Sequence, residues 1–209
     1  MEIDVWADVV CPWCYLGEER LRKAVEQSPH DITLNIHTFQ LDPGASTEVQ
    51  PLLDYLGPHL GLPPARAREM EEGMARLAAA DGLPYVVDRP VAGTFDMLRA
   101  VQFGSERGVG WEYLRALQAE VFGGNPRAFE PDTIVAAGEK VGLDPGEIRD
   151  VLASDRYADA VRDDHDAAIR LGARGVPFTV LGGRLGVPGA VTVEQYASAI
   201  EQAWEKTRG

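Results

Sequence analysis

The chain has 209 residues, 45% of them hydrophobic and 25% charged, with a formal net charge of −13. That length suits one core, or one domain carrying a large insertion. The acidic balance argues against nucleic acid or an anionic membrane surface as a partner, and no apolar run is long enough to span a bilayer.

The first residues, Met1-Glu2-Ile3-Asp4, are acidic and lack a signal-peptide pattern, which predicts a cytoplasmic protein. Ile3, Val5 and Ala7 alternate with Asp4, Trp6 and Asp8, which predicts a strand. The only two cysteines follow directly, in Asp8-Val9-Val10-Cys11-Pro12-Trp13-Cys14-Tyr15-Leu16-Gly17. Leu16, Leu21, Ala24 and Val25 then take helical spacing. A strand feeding Cys-x-x-Cys and then a helix is the setting in which the motif is redox-active. On a first helical turn, residues i and i+3 lie about 5–6 Å apart, within reach of a reversible disulfide. Pro12 suits a position whose N–H has no helical partner. Cys11, at the helix N-terminus, gains free N–H groups and a dipole that stabilise a thiolate, so it is the candidate nucleophile. Cys14, one turn in, is the candidate resolving thiol. A zinc site needs two further ligands, and His30, His37, His59 and His165 show no ligand-pair spacing, so no metal is expected. An inert structural disulfide is the remaining alternative, and a cytosolic setting weighs against it.

Ser28-Pro29 ends the first helix near Gln27, and Asp31 to His37 alternates as a second strand. Helical patterns dominate from about Glu48 to Gly172. Leu114, Leu117, Gln118 and Val121 share one face, and Ile134, Ala137, Gly138 and Val141 another. Asp144-Pro145-Gly146-Glu147 reads as a cap and first turn. A helix over about 155–172 carries Tyr157, Val161, Ala168 and Ile169, with His165 on that stripe as a boundary histidine bonded to backbone. Arg66 to Glu72 reads as a solvated helix face, with Met70 and Met74 as packing residues. Strand character returns at Val176 to Leu181, and Gly182-Gly183 predicts a two-residue hairpin turn into Arg184 to Val187. Thr192, with Gln195 three residues on, caps a final helix through Ile200 and Trp204. No repeat or linker divides the chain. The order is β-α-β, helical block, β-β-α, an α/β protein.

With its Cys-x-x-Cys and its late Gly175-Val176-Pro177, this arrangement resembles the thioredoxin fold. The long helical block between the halves is similar to the DsbA family. The form Asp8-Val9-Val10-Cys11-Pro12-Trp13-Cys14-Tyr15-Leu16-Gly17, with Val141-Gly142-Leu143-Asp144 and Pro188-Gly189-Ala190, resembles its FrnE-like branch. Leu98 and Val191 depart from that branch, where a histidine and often a glutamine stand. The resemblance implies a thioredoxin-like sheet core from residues 1–42 and 173–209, with a large all-helical insertion over 43–172. It implies a cis Pro177 facing the cysteines, with Val176 backbone free to pair with an extended peptide. Pro12, Trp13, Val176 and Pro177 are then the substrate-binding candidates. It also implies a buried acid that moves the proton of the second thiol. Asp8 is the first candidate and Asp4 the second, and a solvated or loop-capping carboxylate is an equal reading of each.

The implied chemistry is thiol–disulfide exchange with protein or small-molecule thiols and disulfides. No metal or organic cofactor is required, and glutathione is open as a co-substrate. Two other readings stand beside it. One is a glutathione-dependent isomerase or kappa-class-like transferase, which generally carries serine where Cys11 stands. The other is a redox-gated peptide-binding or chaperone module. Substrate, direction and oligomeric state are left open.

Overall fold

Strand β1 (Glu2–Ala7) lies inside a four-stranded sheet ordered β2-β1-β5-β6 in the computed structural model, which describes residues 1–207. Helix α1 (Pro12–Gln27) crosses over to β2 (Thr33–Thr38), so β1 and β2 run parallel. On its other side β1 runs antiparallel to β5 (Phe178–Leu181), which turns back into β6 (Leu185–Pro188). Trp6 is thereby flanked by His37 on β2 and Phe178 on β5. The hairpin turn has φ of 56° at Gly182 and 65° at Gly183, the pair of positive values that glycine allows and that matches strand twist. Helix α9 (Val193–Thr207) closes the fold on a reciprocal cap. Gln195 N–H donates to Thr192 Oγ1 at 3.3 Å, and Thr192 N–H to Gln195 Oε1 at 3.0 Å.

The alternation of β1 suggested a polar outer face, but Trp6 and Asp8 are both buried. Helix α8 (Ala158–Arg170) covers that face: Trp6 packs with Phe39, Ala168 and Phe178, and its indole N–H donates to the Asp164 carbonyl at 3.0 Å.

Between β2 and β5 lie α2 (Leu52–Leu60), α3 (Pro64–Asp81), α4 (Phe95–Glu106), α5 (Gly110–Phe122), α6 (Pro131–Lys140), α7 (Pro145–Leu152) and α8. This segment is not purely helical. Two short strands, β3 (Gln50–Pro51) and β4 (Pro90–Val91), pair antiparallel on either side of α2 and α3. Leu114, Leu117, Gln118 and Val121 are fully buried, as are Ala137 and Ile148 nearby. Asp144 caps α7 by accepting from Glu147 N–H at 2.9 Å. Four expectations fail locally. Glu71, placed on a solvated face, is buried in an ion pair with Arg89 at 2.8 Å and accepts from Tyr85 Oη at 2.6 Å. Met70, expected to pack, is exposed while Met74 is buried. On α8, Ile169 points to solvent and His165 stacks on Phe39 at 4.2 Å rather than bonding backbone. The expected C-terminal segment ran to 209; residues 208 and 209 lie outside the described ones.

Candidate active site

The chain leaves β1 at Ala7, turns through Asp8 to Val10 and enters α1 at Pro12, so Cys11 is the N-cap. Its φ of −75° and ψ of 113° are extended, and its sulfur accepts the Cys14 N–H at 3.3 Å. An ordinary cap uses an oxygen there; here a sulfur takes a helical N–H that has no other partner. Pro12 contributes no N–H at the first helical position, where none is needed. Both cysteines are free thiols, with Cys11 3% exposed and Cys14 fully buried. Trp13, between them, is 45% exposed and forms the outer surface of the motif.

The other half of the site comes from the far end of the chain. The Val176–Pro177 peptide bond is cis, and the Cys11 thiol donates to the Val176 carbonyl at 3.6 Å. Pro177 lies against α1 at Gly17, where the helix has no side chain. Cys11, Cys14, Pro12, Trp13, Val176 and Pro177 are therefore brought together.

The acids separate. Asp4 turns away from the sulfurs, accepting from Asn35 Nδ2 at 3.2 Å and from His37 Nε2 at 3.1 Å. His37 Nδ1 reaches Asp164 at 3.0 Å, so its ring is held between two carboxylates. Burial alone would lower the His37 pKa, but Asp164 and Asp4 outweigh it and raise it to about 9. Asp8 is 1% exposed, and its Oδ2 accepts the Leu41 N–H at 2.8 Å. Burial pushes its pKa up to about 6, against the Leu41 N–H and the more distant Thr94 hydroxyl and Val10 and Val9 N–H groups. What Asp8 brings to Cys14 is its main chain, as a backbone hydrogen bond that favours the thiolate.

The carboxyl group whose charge bears on Cys14 is Glu18, one helical turn further along α1. Sequence reasoning did not single it out, because nothing in Glu18-Glu19-Arg20 itself marks one acid for burial. It is 1% exposed, and Oε1 accepts from Gln118 Nε2 on α5 at 3.0 Å while Oε2 has no partner. Burial pushes its pKa up to about 7, with Arg115 and the Gln118 bond opposing. Burial also pushes the Cys14 thiol well up, and Cys11 and Glu18 add to the rise. Among the described residues no group of three or more His, Cys, Asp or Glu side chains is arranged to hold a metal ion.

The chain is similar to known proteins. The description "DSBA-like thioredoxin domain" fits residues 2–201 of the chain. The probable DsbA oxidoreductase SCO1869 from Streptomyces coelicolor is 37% identical, superposes with a TM-score of 0.91, and is matched over 99% of this chain and 91% of its own. A 2-hydroxychromene-2-carboxylate isomerase is 18% identical with a TM-score of 0.71, over 100% of this chain and 98% of that one. The cytosolic disulfide reductase DsbM from Pseudomonas aeruginosa, solved also with GSH, is 20% identical with a TM-score of 0.65 over the same shares. The last two likenesses are of fold alone. With the match along nearly its whole length and a Cys-x-x-Cys helix facing a late Val-Pro, the chain belongs to the DSBA-like thioredoxin domain family.

Proposed function

We propose that this protein exchanges thiols and disulfides through Cys11 and Cys14. The observation that carries this reading is the Cys11 sulfur at the helix cap, accepting the Cys14 N–H and facing the Val176 carbonyl. In the reducing direction the Cys11 thiolate attacks one sulfur of a substrate disulfide. That S–S bond breaks, a mixed disulfide forms on Cys11, and the leaving thiolate takes up a proton. Cys14 then attacks the Cys11 sulfur, closing the intramolecular disulfide and releasing the second substrate thiol. The dithiol has lost two electrons and two protons, and the substrate has gained them.

Cys14 must lose its proton before it attacks, and burial holds it on. Glu18 is the acceptor in this scheme, one turn away and buried near half-ionisation at neutral pH. Trp13 offers an exposed surface to the substrate, and an extended peptide pairs with the Val176 backbone as an added strand. The cytoplasm is the compartment this reading assumes, with reduction or isomerisation as the direction. A small thiol is the co-substrate, in keeping with the GSH held by DsbM, which has the same fold. The likeness to the isomerase favours a second reading, in which Cys11 positions glutathione beside a small substrate. That chemistry gives Cys14 nothing to do, so exchange is the stronger of the two.

The test is trapping. A Cys14→Ser variant mixed with a peptide disulfide accumulates a mixed disulfide on Cys11, and Cys11→Ser accumulates none. A trapped adduct on Cys14 in the Cys11→Ser variant, with none in the other, reverses the roles; no adduct in either rejects exchange.

A further inference from the structure

A cavity of about 310 Å³ opens beside the active-site loop on the side of the helical insertion. Asp8, Val10 and Pro12 form one wall, so it begins one residue from Cys11. Its volume is at the low end of small-ligand pockets, about 300–1,000 Å³, and fits a short chain rather than a peptide. Leu41, Leu52, Leu56, Val91 and Ala92 supply apolar lining.

Among its charged side chains the carboxylates Asp8, Asp42 and Glu71 outnumber Arg89, and neutral groups such as Ser46, Gln50 and Thr94 stand beside them. Arg89 and Glu71 pair with each other at 2.8 Å, and the Arg89 guanidinium lies 4.5 Å from both the Tyr85 and Phe122 rings, so its charge is already engaged. Asp42 accepts from Tyr55 Oη at 2.6 Å and lies 3.8 Å from His59 Nδ1. Asp8 is the buried member, with Oδ2 on the Leu41 N–H and Oδ1 without a partner. An anion entering here meets the carboxylates of Asp8, Asp42 and Glu71, opposed among the described wall residues by Arg89, which is paired with Glu71, and by His59, which lies beside Asp42. A positively charged donor is favoured by the Asp8 and Asp42 carboxylates in a water-poor place, where such a contact is strong.

We propose that this cavity seats the ammonium group of a small, carboxylate-free aminothiol whose sulfur is exchanged at Cys11, with Asp8 and Asp42 as its acceptors. The inference rests on the exchange reading above and names its substrate class. The Cys11 thiolate attacks the symmetrical disulfide, its S–S bond breaks, and one aminothiol leaves with a proton. Cys14 displaces the second. Two electrons and two protons pass from the dithiol to two aminothiols.

The experiment oxidises the reduced protein with four disulfides at about 0.15 M salt, where long-range attraction is screened. These are cystamine, bis(2-hydroxyethyl) disulfide, glutathione disulfide and dithiodiglycolate. Each rate is divided by that of free dithiothreitol with the same disulfide, which removes intrinsic reactivity. The expected order places cystamine about tenfold above the neutral disulfide and further above both anionic ones, a spread of the size set by one close charge contact. Asp8→Asn lowers the cystamine advantage most. Asp42→Asn, on a partly exposed side chain, lowers it less and serves if the first variant does not fold. Equal normalised rates overturn the inference, and so does a cystamine advantage that survives in the folded variants, since it then comes from the −13 net charge and not from this cavity. No oxidation by any of the four disulfides rejects exchange itself and the inference with it.

Discussion

Gly17 and Pro177 meet with no room between them. A methyl group built on Gly17 would lie 3.0 Å from Pro177 Cγ, 3.2 Å from Ala190 Cβ and 3.3 Å from Tyr196 Oη. All three neighbours are side-chain atoms from the last part of the chain, so the missing side chain is what lets the dithiol helix touch the Val176–Pro177 segment.

Gly17→Ala is therefore expected to push these two pieces apart. Overpacking of this kind costs about 1–3 kcal/mol, while alanine in a helix returns up to about 1. The variant should keep its fold, melt a few degrees lower and reduce peptide disulfides more slowly. Gly17→Leu should exaggerate both effects. A melting curve and an insulin-reduction assay decide it, and unchanged exchange in Gly17→Leu would show that the contact does not matter.

Glu18 should report itself in the pH dependence of the second step. If it takes the Cys14 proton, release of the mixed disulfide in the wild type rises through a midpoint near pH 7, and Glu18→Gln removes that rise while leaving attack by Cys11 intact. Stability should move the other way. Because burial raises the pKa to about 7, the folded protein binds a proton that the unfolded chain releases near pH 4.3, so stability falls as pH climbs between the two. The span corresponds to about 4 kcal/mol. Glu18→Gln, which keeps the bond from Gln118, should thus be more stable than wild type above pH 7. Denaturation at pH 5 and pH 8 tests the sign.

His37 is a stabilising imidazolium, and its loss should show in alkali. Its pKa rises from about 6.5 unfolded to about 9 folded, so the stability it contributes is whole below the first value and gone above the second. The contribution is about 2–3 kcal/mol, less whatever solvent screens from a ring that is 30% exposed. Wild type should lose this increment between pH 6.5 and 9, and His37→Gln should lose less stability over that range. A titration of the ring by NMR giving an unshifted midpoint would remove the basis for this expectation.

The features legible in the sequence were those set by neighbours a few residues away. Cys11 and Cys14 declare themselves by spacing, the Gly182-Gly183 turn by its need for positive φ, and the Thr192 cap by Gln195 three residues later. Glu18 was illegible because its burial depends on Gln118 and Arg115, about a hundred residues away on another helix. Glu71 misled for the same reason, since Arg89 arrives from beyond the end of α3 to neutralise it. Strands β3 and β4 hold only two residues each and contain prolines, too little for alternation to register. His37 sat on a face that looked polar until α8 brought Asp164 to it.

The order in which the sheet is written along the chain also orders its manufacture. A ribosome delivers β1 and both sulfurs first, then a long run of helices, and only after those β5 and the Val176–Pro177 segment. Helices form from local contacts and can settle early, whereas the β1–β5 pairing joins the two ends of the sequence and comes late. Through most of synthesis, one edge of β1 stays unpaired and the cysteines lack the Val176 carbonyl that faces them in the finished protein. The nascent chain thus passes through a stage in which its thiols are open to whatever oxidant or partner is near, and the arrival of β5 with the Val176–Pro177 segment closes that stage.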